Sequence, residues 1–114
     1  SARKSEYDNL KQKVIVDIND PLLIFVYEED SNSYTTDLSN ELLYLHPKKC
    51  IIIARLRNEQ YICSLRYSQA NLEQILKEVL QITGGSGGGH EHACGAQIPQ
   101  HQWDIFLEEL RKRI

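Results

Sequence analysis

"CIIIARLRNEQYICSLRYS" occupies residues 50–68, and its reading decides the fold. Its first part, Cys50 to Leu56, is a short continuous apolar run of strand formers, the signature of a strand buried on both faces. Arg57, Asn58 and Glu59 form a tight connection. "YICSLRY" then alternates, with Tyr61, Cys63, Leu65 and Tyr67 on one side and Ile62, Ser64 and Arg66 on the other. Two strands with so short a link pair as a hairpin.

The flanks extend the pattern. Upstream, "LLIFVY" (22–27) is another apolar run and reads as a buried strand. "KVIVDI" places Val14, Val16 and Ile18 in alternation and suggests one more short strand, closed by a turn at Asn19-Asp20-Pro21. "EEDSNSYTTD" (28–37) reads as an exposed loop, with Thr35, Thr36 and Asp37 as N-cap candidates. Leu38, Leu42 and Leu45 recur on one helical face, and Pro47 ends that helix. Downstream, Leu72, Ile75, Leu76, Val79 and Leu80 keep the 3.6-residue period, which predicts a helix over 71–81. "AQI" (96–98) is a short extended piece stopped by Pro99. A last helix carries Trp103, Phe106, Leu107 and Leu110 on one face. Its basic end, Arg111-Lys112-Arg113, suits the negative pole of a helix C-terminus better than it suits a nucleic-acid patch. The expected architecture is a single compact α/β domain over 14–114, with a mixed sheet of four to five strands and helices packed on it. Residues 1–13 are polar and read as a linker or as a helix end from an upstream domain.

Composition narrows the function classes. At 114 residues the chain is one domain, long enough for a core without staples. A net charge of -3 argues against holding nucleic acid by bulk electrostatics. Three cysteines cannot all pair; Cys50 and Cys63 lie in apolar runs and read as small hydrophobes. Without a signal peptide, the expected compartment is the reducing cytoplasm. No apolar run reaches the roughly 18 residues of a membrane span. The chain lacks Met and starts at Ser1, which points to a piece of a longer parent.

"GGSGGGHEHACG" (84–95) holds all 6 glycines, and three readings compete for it. A flexible tether explains the glycines but not His90, His92, Cys94 or Gly95. A zinc clip could use His90, His92 and Cys94, which alternate as on one strand face, although zinc ligands are usually spaced otherwise. A ligand loop uses bare glycine backbone, whose successive N–H groups converge on an anion, with a histidine at its end.

"GGGHEHACGAQIP" resembles the GGGHxxAAG signature of the DHHA1 domain, the C-terminal half of DHH-family phosphoesterases such as RecJ-type exonucleases, oligoribonucleases and cyclic-dinucleotide hydrolases. The match falls on Gly87, Gly88, Gly89, His90, Ala93 and Gly95; Cys94 replaces the commoner alanine, and Gly84-Gly85-Ser86 is extra. "ICSLRYS" is similar to that family's strand ending in Ser-x-Arg, matching Ser64 and Arg66. The resemblance covers residues from about Leu22 to the C-terminus. It implies a domain that binds substrate and does not cut it. Gly87, Gly88, Gly89 and His90 would clamp a phosphate or terminal nucleotide, with Arg66 and Ser64 contributing from the strand and His92 and Gln97 as lesser candidates. It assigns no catalytic or metal-ligating residue and no cofactor to this domain. The metal-ligating Asp and His residues of the family belong to an upstream DHH domain, expected to carry Mn or Mg, and this chain has no DHH triplet. The implied partners are that DHH domain and single-stranded DNA, RNA or a small nucleotide. The parent is then a phosphodiesterase or exonuclease, and the isolated domain is inactive. Two alternatives stay open. One is an RNA-binding or oligomerising module of an alanyl-tRNA-synthetase-type protein; the other is a zinc-stabilised interaction module.

Overall fold

The computed structural model describes residues 2–27 and 35–114. Five strands form one sheet in the order β1-β2-β3-β5-β4. They are β1 (Leu22–Tyr27), β2 (Cys50–Arg57), β3 (Gln60–Arg66), β4 (Ser86–Gly89) and β5 (Ala93–Pro99). β1 and β2 are parallel, and every other pairing is antiparallel. The helices are α1 (Ala2–Gln12), α2 (Thr35–Leu45), α3 (Leu72–Thr83) and α4 (Trp103–Arg113), the last entered through a 3₁₀ turn at Gln100–Gln102. The mixed α/β sheet expected from the sequence is what forms.

The β2–β3 hairpin turns on Asn58 and Glu59, whose φ angles are 53° and 64°. Two successive left-handed residues make the turn that matches strand twist. Alternation along the strands then separates two cores. One face carries Cys50, Ile52, Ala54, Cys63, Leu65, Cys94, Ala96 and Ile98 under α3 and α4. There Trp103 stacks on Tyr61 at 4.3 Å and on Phe106 at 5.6 Å. The other face carries Leu23, Phe25, Tyr27, Ile51 and Ile53 under Leu38 and Leu42 of α2, with Tyr7 and Leu10 of α1 packed alongside. This second cover extends over β1 and β2 and reaches β3, where Ser39 and Asn40 of α2 meet Ser64 and Arg66. The outward row of β5 (Gly95, Gln97) and the glycines of β4 stay exposed, so half of this face is open.

Several local expectations change. The alternation at Val14, Val16 and Ile18 makes no strand: the segment lies outside the sheet, β1 keeps its outer edge unpaired among the described residues, and Ile15 and Ile18 are 84% and 86% exposed. α2 buries Leu38, Ser39 and Leu42, but Leu45 at its end is exposed. Thr35, Thr36 and Asp37 lie inside the first turn of α2. The loop expected over 28–37 falls, for residues 28–34, outside the described residues. α3 starts one residue later than expected, because Asn71 is its cap: the Asn71 Oδ1 accepts from the Gln74 N–H at 3.1 Å. α3 also runs on to Thr83, where Gly84, at φ 74°, closes it by donating its N–H to Leu80 O. Gly84 is thus a helix cap and not part of a tether.

The largest change is the glycine run itself. Ser86–Gly89 is an edge strand, and β5 extends over seven residues where a three-residue piece was expected. Glycine is what allows this pairing: a Cβ at Gly87 would lie 2.6 Å from Gly95 O, and one at Gly89 2.4 Å from Ala93 O. An extended strand points successive N–H groups to opposite edges. The convergent nest of three amides expected from the sequence is therefore not the geometry of this segment.

Candidate anion site on the open sheet face

Register brings the candidate residues together. Ser64 pairs with Gly95 on β5, and Gly95 pairs in turn with Gly88 on β4; Arg66 pairs with Ala93. Ser64, Arg66, Gly88, Gly89 and His90 line one open cavity of about 340 Å³. Gly87 and Gln97 line a neighbouring cavity of about 290 Å³ instead. His92 lines neither. Its Nδ1 lies 3.0 Å from Tyr67 O, which fixes the ring as an Nδ1–H donor to the backbone.

Arg66 is held by neutral oxygens. Its Nε donates to Asn40 Oδ1 at 3.0 Å, and its Nη1 to Ser64 Oγ at 3.1 Å and Leu65 O at 2.9 Å. Nη2 has no hydrogen bond among the described residues. Burial lowers the pKa of the guanidinium, and among the described residues no carboxylate pairs with it. An arginine stays protonated all the same. The result is a fixed, half-buried cation beside an open cavity. The basic end of α4 is the opposite case. Arg111 forks onto Asp20 at 2.9 and 3.1 Å, Arg113 pairs with Glu109 and Glu78, and Lys112 pairs with Glu109. Those cations are already matched by acids of the fold.

Ser64 is polarised by its neighbours. Its Oγ accepts from Ser39 Oγ at 3.0 Å and from Arg66 Nη1. A hydroxyl has two acceptor positions and one proton. With both acceptor positions used, the Ser64 proton is left to donate outward. Ser39 is fully buried on α2, one residue before Asn40. Ser39 and Asn40 went unnoticed in the sequence. The one available signal was Ser39 falling three residues before Leu42, on the buried face of that helix.

His90 is anchored by its backbone. Its N–H donates to Ala93 O at 2.8 Å and its carbonyl accepts from Cys94 Sγ at 3.3 Å, while the ring has no partner among the described residues. The zinc alternative loses its geometry here. Residues 90–92 are not strand, Cys94 is buried under the sheet, and His92 is tied to Tyr67. Among the described residues no three His, Cys, Asp or Glu side chains are placed to hold a metal. Burial also raises the Cys94 thiol pKa.

Comparisons with known proteins bear on the fold and the family. The alanyl-tRNA editing protein AlaX-L of Pyrococcus horikoshii is 29% identical over 93 residues, which is 75% of this chain and 21% of that protein. The chain thus spans about a fifth of that curated relative. RecJ of Thermus thermophilus, solved with Mg2+, shares the fold with a TM-score of 0.77 at 11% identity, over 98% of this chain and 18% of RecJ. The C-Ala domain of Aquifex aeolicus alanyl-tRNA synthetase aligns with a TM-score of 0.59 at 17% identity, over 81% of this chain and 94% of that domain. The family model of the DHHA1 domain matches residues 12–114, and the chain belongs to that family.

Proposed function

We propose that this domain is the phosphate-holding half of a substrate cleft in a DHH-type phosphodiesterase or exonuclease. The observation that carries the reading is Arg66: a half-buried guanidinium fixed by Asn40 and Ser64, with Nη2 unused among the described residues, lining an open cavity. An anion there takes charge-assisted hydrogen bonds from Arg66 and a hydroxyl bond from Ser64. His90 lines the same cavity and offers a ring N–H to the anion. Gly88 keeps the floor bare; Gly87 and Gly89 hold β4 against β5. The anion is a phosphate of single-stranded DNA, RNA or a small nucleotide. Bond cleavage falls to an upstream DHH domain with its divalent metal, Mn or Mg. The donor set of the described residues does not fit such a metal, so no step of this domain's work runs through one.

The test is a titration of the domain with a 5′-phosphorylated tetranucleotide at low salt, monitored by calorimetry. Losing a charge-assisted contact costs about 1.5–3 kcal/mol, so Arg66→Ala should weaken binding roughly 10- to 150-fold. Equal affinity in wild type, Arg66→Ala and His90→Ala would refute the reading. A second reading, an RNA-binding module of an alanyl-tRNA-type protein, is favoured by the likeness to AlaX-L and C-Ala. Binding of tRNA that Arg66→Ala leaves unchanged would select it.

A further inference from the structure

We infer that the second cavity on the open sheet face is a nucleobase subsite, so that the site selects a nucleoside phosphate over phosphate alone. The inference rests on the anion-site reading and deepens it. The two cavities share Gly95 and Cys63, and together they form one groove across β3, β5 and β4. Successive cross-strand rows line it. Ser64, Gly95 and Gly88 form one row, and Ile62, Gln97 and Ser86 form the next. Rows two residues apart are roughly 7 Å apart along the strand. That matches the reach of a nucleotide from its phosphate to its ring.

The chemistry changes along the groove as a nucleotide requires. At one end stand a cation and a hydroxyl donor. At the other stand Ile62, half-buried and apolar, and Gln97, exposed and with no hydrogen-bond partner among the described residues. A carboxamide offers one acceptor and two donors in a plane. That pattern complements the edge of a base, and of adenine in particular. Between the two ends the floor is backbone. A Cβ at Gly88 would meet nothing within 4 Å, and one at Gly95 would meet only Cys63 O at 3.7 Å. Neither residue has a positive φ. Glycine weakens a strand interior and often marks close approach of a ligand. The fold's own packing does not demand it at these two positions, in contrast to Gly87. A flat ring laid over Gly95 uses the space that two missing side chains leave.

The experiment compares three probes on the 114-residue chain: inorganic phosphate, ribose 5-phosphate and adenosine monophosphate, each titrated by calorimetry or by amide chemical shifts. The subsite predicts that adenosine monophosphate binds about tenfold or more tightly than ribose 5-phosphate. Gln97→Ala, an exposed change that the fold tolerates, should weaken adenosine monophosphate about three- to tenfold and leave ribose 5-phosphate unchanged. Ile62→Ala should act in the same direction. Equal affinity for the two sugar phosphates, with both still lost in Arg66→Ala, overturns the subsite and leaves the anion site standing. An equal loss of both ligands in Gln97→Ala also overturns it, because Gln97 would then act on the phosphate. Absence of any Arg66-dependent binding overturns both readings together.

Discussion

Replacing Asn40 by alanine removes the acceptor that holds the Nε of Arg66 and leaves every bond of Nη1 in place. Asn40 is exposed, so water takes over the lost bond and stability should change by less than about 0.5 kcal/mol. The effect belongs to binding. An arginine released from one of its two anchoring groups has to be ordered when the anion arrives, which costs about 0.5–1.5 kcal/mol for one rotamer-rich side chain. Affinity for a 5′-phosphorylated tetranucleotide should therefore fall roughly 2- to 12-fold, short of the loss in Arg66→Ala. Asn40 acts only through Arg66, so the double variant should bind no worse than Arg66→Ala alone. Calorimetry on the four proteins of this cycle, with urea unfolding as the control, reads both quantities. Additive losses in the double variant would refute the positioning role, as would a drop in stability large enough to explain the weaker binding.

Other outcomes follow from single contacts. Gly87→Ala should destabilise by about 1–3 kcal/mol in urea unfolding, because its Cβ would meet Gly95 O at 2.6 Å. Gly88→Ala should stay within about 0.5 kcal/mol of wild type, since its Cβ meets nothing; the reverse order would contradict the β4–β5 pairing. Asp20 has its pKa depressed, first by its hydrogen bond to Arg111. A depressed carboxyl stabilises above its unfolded value near 3.8 and loses that contribution as pH falls through the folded value. The melting temperature of wild type should thus fall more steeply below pH 4 than that of Asp20→Asn, and parallel acid limbs would count against the pair. Cys50 and Cys63 are buried, and burial raises both thiols, Cys63 to about 12. Iodoacetamide at pH 8 should leave both unmodified in the folded protein and label them in urea; rapid native labelling would show that the core is open.

The elements that could be read from the sequence are those with one consistent face. Leu72, Leu76 and Val79 bury one stripe of α3, and Cys63, Leu65 and Ile62, Ser64 split β3 between two sheet faces, so periodicity alone located both. β4 left no such trace. Glycine carries no side-chain period and no strand propensity, and what makes this segment a strand is close approach to β5, a tertiary fact. The alternation at Val14, Val16 and Ile18 misled for the converse reason: the pattern is there, but the segment lies outside the sheet with Ile15 and Ile18 exposed. At the site, residue chemistry alone left Arg66 indistinguishable from a surface arginine, and the family resemblance singled it out. Ser39 and Asn40 touch Ser64 and Arg66 across 25 and 26 residues of chain, and no local pattern spans that gap.

The neutral surroundings of Arg66 also bear on kinetics. An arginine that rests on an internal carboxylate has to break that ion pair before it can grip an incoming anion. Among the described residues Arg66 rests on an amide, a hydroxyl and a carbonyl, and its Nη2 makes no hydrogen bond. Capture of an anion then breaks no ion pair among the described residues. The arrival rate is then set by diffusion and by the local field, without a rearrangement step. Differences in affinity among the ligands of this groove should consequently appear in how long each one stays.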